Sequence, residues 1–206
     1  MEKQYLRIRN SLGVLGCLLP VLSILGASLS PNKIYPEWWT SISITYYSSP
    51  VLIIILSSVA LFLILYRGYN KWDTIVNTAA GVAALCVVCF PCDAPWIDMN
   101  TRVGFFWIPV RISLYVHYAS AFILFILLAI NSIFLFSKGN NQKKNLLYKI
   151  CGYVILADLV FFALNAVLFK IQWTIIVNET IILFAFGISW LVKGHIFDCF
   201  FGDENE

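Results

Sequence analysis

The chain alternates between long apolar stretches and short polar breaks. Six stretches, near 11–29, 50–66, 74–91, 113–136, 148–168 and 174–192, are each about long enough to cross a roughly 30 Å hydrocarbon core as a helix. Ser30-Pro31-Asn32 ends the first, Arg67-Gly68-Tyr69-Asn70-Lys71 the second and Pro91 the third. Ser137-Lys138-Gly139-Asn140-Asn141 ends the fourth, and a tight turn around Lys170-Ile171-Gln172 joins the last two. Ser49 suits the N-cap of the second helix, and Pro50 its first helical position. The pattern predicts an all-α, polytopic transmembrane bundle of six spans, a single domain over 1–206. No internal repeat is visible, so the two-half architecture of many transporters is not predicted.

Composition agrees. Of 206 residues, 60% are hydrophobic and 12% charged, against roughly 45–50% and 25% in soluble domains. Mean hydropathy is +0.82. A soluble chain of this size has too much surface to hide so much apolar area. Soluble enzymes, disordered proteins and small disulfide scaffolds are excluded.

Charge sets the orientation. With the N-terminus inside, the inner segments hold Lys3, Arg7, Arg9, Arg67, Lys71, Lys138, Lys143, Lys144, Lys149 and Lys193, ten of the fourteen Lys and Arg. The outer segments hold Lys33, Arg102, Arg111 and Lys170. The positive-inside bias predicts both termini cytoplasmic. Trp38, Trp39, Trp96, Trp107 and Trp173 then lie on the outer side and Trp72 on the inner side, where interfacial aromatics belong. The net charge of +3 reports topology rather than nucleic-acid binding.

Three local signals carry little. Only about six apolar positions precede Cys17, too few for the apolar region of a cleaved leader. Asn178-Glu179-Thr180 matches a glycosylation acceptor but falls inside a span. Cys17, Cys86, Cys89 and Cys151 sit in spans, where cysteine behaves as a small apolar residue. Cys92 is at the outer face and Cys199 is cytoplasmic, and Cys89-x-x-Cys92 lacks a thioredoxin-like setting.

Ionisable side chains inside spans need a reason. There are three, Asp158, His117 and Glu179. Asp158 is near the middle of the fifth span, and Cys151, Asp158 and Asn165 share a face that should point into the bundle. It is the candidate for an ion or proton relay, or else a carboxyl hydrogen-bonded to a neighbouring helix. Glu179 lies about 9 Å, and His117 about 6 Å, below the outer end of its span at 1.5 Å per residue. Ser113, His117 and Ser120 form one stripe. His117, Glu179, Asp93, Tyr46, Tyr47 and Ser120 therefore make up a candidate outward-facing ligand pocket. The alternative is an interhelical hydrogen-bond cluster that locks the bundle.

In the first outer loop Ser41, Ser43 and Thr45 alternate with Ile42 and Ile44, a period of two. This predicts an extended segment over the bundle, either a lid on the pocket or an aromatic interface anchor. On the inner side Asp73 reads as a loop ion pair with Arg67 or Lys71, or as an N-cap. Gly81, Ala80 and Ala84 should let another helix approach closely. Gly187, Trp190, Lys193, Gly194 and His195 form a helix end with a cationic flank. The tail ends acidic with Asp203, Glu204 and Glu206.

Several phrases resemble a group of bacterial six-span integral membrane proteins that carries no agreed activity. They are Ser41-Ile42-Ser43-Ile44-Thr45-Tyr46-Tyr47, Tyr66-Arg67-Gly68-Tyr69, Cys89-Phe90-Pro91-Cys92, His117-Tyr118-Ala119-Ser120 and Gly187-Ile188-Ser189-Trp190-Leu191-Val192-Lys193-Gly194. The resemblance runs over most of the chain and implies a six-span helical bundle and little else; the expected location is the cytoplasmic (inner) membrane. The chain is more loosely similar to the membrane hydrolase superfamily that includes the alkaline ceramidases. Those proteins use a Ser, an Asp and three His around zinc. This chain has two His, and His195 is expected on the opposite side from His117. No metal or other cofactor is expected.

Three function classes follow. The first is a membrane protein that binds a small molecule or lipid, or that assembles with itself or another membrane protein. The second is a small ion- or proton-coupled transporter or channel using Asp158 and Glu179. The third is a membrane-embedded lipid hydrolase with His117 as the catalytic base. No nucleic-acid partner is expected, and the partners in view are membrane lipids and a small-molecule or ion ligand.

Overall fold

The structure, a computed structural model, describes residues 2–30, 40–68, 70–171 and 173–201. Lys33, Trp38, Trp39, Tyr69, Gln172, Asp203, Glu204 and Glu206 lie outside the described residues. Six long helices carry the fold. They are α1 (Glu2–Ser28), α2 (Val51–Leu65), α3 (Lys71–Cys89), α4 (Val110–Ile130), α5 (Gln142–Leu164) and α6 (Trp173–Lys193). A short α7 (Asp198–Phe201) follows. Single π-turns, Asn131–Leu135 and Asn165–Phe169, extend α4 and α5. A two-residue hairpin, β1 (Arg102–Val103) and β2 (Ile108–Pro109), joins α3 to α4. Its tip turns through positive φ at Gly104 and Trp107.

Five of these helices, counting the extensions of α4 and α5, are long and apolar enough to cross a membrane. α2 is shorter, 15 residues, or about 22 Å at 1.5 Å per residue. Several helices outrun the apolar stretches that announce them, because polar residues continue the helix past the hydrophobic run. Asn70 caps α3 by accepting the Asp73 N–H at 3.0 Å, and Asn141 caps α5 by accepting the Lys144 N–H at 3.1 Å. The expected start of α2 shifts by one residue. Pro50 occupies the N-cap, while Ser49 Oγ accepts the Val51 N–H at 3.3 Å.

Each helix packs on the next, and α6 returns to α1, so the six form a closed ring in chain order. Small residues set the tightest approaches. A Cβ on Gly81 would lie 2.6 Å from the Ala60 carbonyl oxygen of α2, and one on Gly187 would lie 2.7 Å from the Cys17 backbone nitrogen of α1. Neither contact has room for a side chain, so these two helix pairs meet backbone to backbone.

The end of the ring that holds the start of α1 and the end of α6 is filled. Trp190 meets Tyr66 and Phe136 edge-on, at centroid distances of 5.0 and 4.9 Å, and Phe136 meets Tyr148 at 5.5 Å. Charged groups are built into this plug. Arg9 Nε donates to the Tyr66 hydroxyl at 3.3 Å, and Lys193 Nζ lies 5.9 Å from the Phe136 centroid and 5.8 Å from that of Tyr148. Lys144, 1% exposed, pairs with Asp198 of α7 at 2.8 Å, and His195 Nδ1 meets the other Asp198 oxygen at 2.8 Å. Asp73 pairs with Lys138 at 3.7 Å. This corrects the expected loop pair with Arg67 or Lys71, because the ring brings the end of α4 across the start of α3. Asn131 donates to Asn77 at 2.8 Å, and Asn77 to the Asp73 carbonyl at 2.7 Å, which ties α4 to α3.

Candidate functional site

The opposite end of the ring is open. A cavity of about 580 Å³ lies there, walled by residues of all six long helices, most of them from α4, α5 and α6, and covered by residues 40–44. Sites for drug-sized molecules have about 300–1,000 Å³. Leu52, Leu56, Phe125, Leu159, Ile182 and Leu183 are among the side chains that make its walls apolar. The polar groups in its lining are Thr40, Ser41, Ser43, Asp93, His117, Tyr118, Asn178 and Glu179, and among the described residues no Lys or Arg joins them.

Glu179 makes the most hydrogen-bond contacts of these groups. Its Oε1 accepts Ser43 Oγ at 2.8 Å and Ser41 Oγ at 3.1 Å, and its Oε2 accepts Ser41 Oγ at 2.9 Å and the Ile42 N–H at 2.5 Å. Three donors supply these four contacts, the single Ser41 hydroxyl hydrogen being shared between the two carboxylate oxygens. The carboxylate sits where a 3-10 turn, Ser43–Tyr47, begins, so it takes N-terminal donors that the turn itself leaves unpaired. Ser41 Oγ also accepts the Ser43 N–H at 3.1 Å. The period-two pattern of residues 41–45 thus makes a turn, not an extended strand. Ser41 and Ser43 still face one way, toward Glu179, while Ile42 is buried in the core and Ile44 in a second cluster with Cys92 and Ala94. Glu179 therefore fastens the covering segment to α6.

The stripe on α4 has a different use. Ser113 Oγ donates to the Pro91 carbonyl at 2.7 Å, and His117 Nδ1 meets the Phe90 carbonyl at 2.8 Å. A carbonyl only accepts, so His117 Nδ1 carries the hydrogen. Tyr47 donates to the Cys92 carbonyl at 2.7 Å. Three side chains from two elements thus satisfy the carbonyls that follow the end of α3, groups a helix terminus leaves without partners. Burial pushes the Tyr47 hydroxyl up. Burial first, then the Glu179 and Asp93 carboxyls, push the Cys92 thiol well above its ordinary range. That is the reverse of what a reactive thiolate needs.

The structure brings His117, Glu179 and Asp93 to one cavity. Tyr46, Tyr47 and Ser120 stand outside its lining. Tyr46 packs edge-on against Tyr47, centroids 5.2 Å apart. Asp93 accepts from the Tyr118 hydroxyl at 3.3 Å. Asp158 is only half-buried, is absent from the cavity lining, and has one oxygen without a hydrogen-bond partner. Its face-mates Cys151 and Asn165 are buried, and Asn165 both donates to and accepts from the Ile171 backbone, closing the α5–α6 turn. Sequence reasoning missed Tyr118 and Asn178. Each sits one residue from a residue it did single out, which was the available signal. His195 lies at the far end, paired with Asp198, and among the described residues no three His, Cys, Asp or Glu side chains group to hold a metal ion.

The chain matches no family model, no curated protein and no solved structure. The cavity therefore has to be read from its own chemistry.

Proposed function

We propose that this is an integral membrane protein that takes an amphiphilic small molecule or lipid from the bilayer into the cavity. One observation carries the reading. The cavity is apolar along its walls and polar at the end beneath the Ser41–Tyr47 cover, which is the polarity profile of an amphiphile. The cover supplies Ser41 and Ser43 to the Glu179 latch, so it belongs to the site as well as to the interface.

In this reading all six long helices cross the membrane, and both termini are cytoplasmic. The excess of Lys and Arg at the plugged end supports that orientation. The cavity then opens toward the outer leaflet. α2 is shorter than the hydrocarbon core, a mismatch that local thinning and the flanking Arg67 absorb at modest cost. Entry is sideways, between α4 and α5. The cavity residues Tyr118 and Phe122 of α4 are 46% and 52% exposed, and lining residue Ala163 of α5 is exposed as well.

The test is binding of a spin-labelled alkyl chain to the purified protein in nanodiscs. Immobilised label, lost in Ala121→Trp while thermal stability is kept, supports the reading. An equal immobilised fraction in both proteins overturns it.

A further inference from the structure

Resting on that reading, the geometry points to a cationic head group on the amphiphile, held by Asp93 at the cavity that the Asn178 amide also lines. Among the described residues, the polar end of the cavity holds two carboxylates, Asp93 and Glu179, and no Lys or Arg. Neither carboxylate has a cationic partner among the described residues.

The two acids differ in what they have left to offer. Glu179 already receives three hydrogens from the cover, those of the Ser41 and Ser43 hydroxyls and the Ile42 amide. Asp93 accepts one long contact from Tyr118, so it keeps acceptor capacity for a ligand N–H or for direct charge pairing. The Tyr118 ring beside it offers an aromatic face of the kind that attracts ammonium groups. A second, independent feature points to an occupant. Asn178 lines the cavity, is 5% exposed, and its Nδ2 has no hydrogen-bond partner. A buried amide left unpaired is costly, and a neutral acceptor on the ligand, a hydroxyl or carbonyl oxygen near the cationic nitrogen, would satisfy it. A phosphate or sulfate is disfavoured there, because it would face two carboxylates with no cation between them.

The experiment uses the full chain in nanodiscs of neutral lipid and displaces the spin-labelled alkyl chain with three probes of equal chain length. These are dodecyltrimethylammonium, dodecanol and dodecyl sulfate, each below its micelle concentration. The ammonium probe should displace about tenfold or more better than dodecanol, and the sulfate worst. Asp93→Asn should weaken the ammonium probe by about tenfold and leave dodecanol within about twofold. If all three displace equally, and Ala121→Trp abolishes all three, the amphiphile reading stands and the cationic head group is overturned. If none displaces the label, the cavity reading itself fails. If Asp93→Asn weakens dodecanol as much as the ammonium probe, the effect is structural and the assignment is overturned. Asn178→Ala, with thermal stability as its control, should weaken a 2-hydroxyalkyl ammonium probe more than the plain one. An equal effect on both removes Asn178 from the site.

Discussion

Replacing Glu179 by alanine should release the cover from α6. In the structure its carboxylate receives the Ser41 and Ser43 hydroxyls and the Ile42 N–H. Hydrogen bonds to a charged group are worth about 1.5–3 kcal/mol each, and an orphaned buried donor costs about 1–3 kcal/mol. The three are not additive. Both hydroxyls can rotate to other acceptors, whereas the Ile42 amide is fixed in direction. The expected loss is therefore about 3 kcal/mol, dominated by that one amide. Glu179→Gln keeps one oxygen for Ile42 and should cost about 1 kcal/mol. Equilibrium unfolding in mixed micelles reads the global effect. Hydrogen exchange of residues 40–47 reads the local one, and should speed up about a hundredfold in the alanine variant. A cycle with Ser43→Ala should show a coupling of about 1–2 kcal/mol. Refutation would be an alanine variant within about 0.5 kcal/mol of wild type with unchanged exchange at Ile42, because the carboxylate would then not be holding the turn.

Three other expectations test the frame around the site. Gly187→Ala pushes a methyl against the Cys17 backbone and should destabilise the α1–α6 contact by about 1–3 kcal/mol, seen as a lower unfolding midpoint. Ser113→Ala leaves the Pro91 carbonyl without its partner and should cost about 1–2 kcal/mol. That loss should leave displacement of the spin-labelled chain unaltered, because Ser113 is not in the cavity lining. Asp198 should make the α7 clasp acid-sensitive. Burial pushes this carboxyl up, but hydrogen bonds from Lys144 and His195 outweigh it and hold it below the usual carboxylate range. A depressed folded-state value means the contribution is present above the unfolded value of about 3.9 and is lost as pH falls through the folded one. The protection of residues 195–201 relative to intrinsic amide exchange should begin to fall below about pH 4, and Asp198→Asn should remove that fall.

Much of this architecture follows from patterns that depend only on helical spacing. The apolar stretches locate the helices. Ala80, Gly81 and Ala84 mark a face for close approach, and α2 takes it. Depth counting places His117 and Glu179 at one level, and both reach the same cavity. What spacing does not carry is the identity of the partner across the gap. Ser113 and His117 read as part of either a ligand pocket or an interhelical hydrogen-bond cluster, and spacing does not show that their partners are carbonyls after α3, a need that exists only once that terminus packs against α4. Asp73 reads as a partner of nearby cations, but ring closure delivers Lys138 from far along the chain. The alternation at 41–45 is real as a division of sides. It was misleading as a dihedral signal because Glu179, on a distant helix, supplies the acceptor that starts a turn there.

The ring closes between its first and last members, and that orders its biosynthesis. Arg9, 6% exposed in the finished protein, donates to the Lys193 carbonyl 184 residues downstream. At roughly 5–20 residues per second of synthesis, about 10–40 s separate the two. During that interval α1 waits with an unclosed seam, since Gly13 and Gly16, which pack against Leu191 and Phe186 of α6, have no partner until α6 is made. A truncated or slowly translated chain should therefore be held at this stage by insertion machinery or cleared by membrane proteases. The arrival of α6 would act as the checkpoint that ends that exposure.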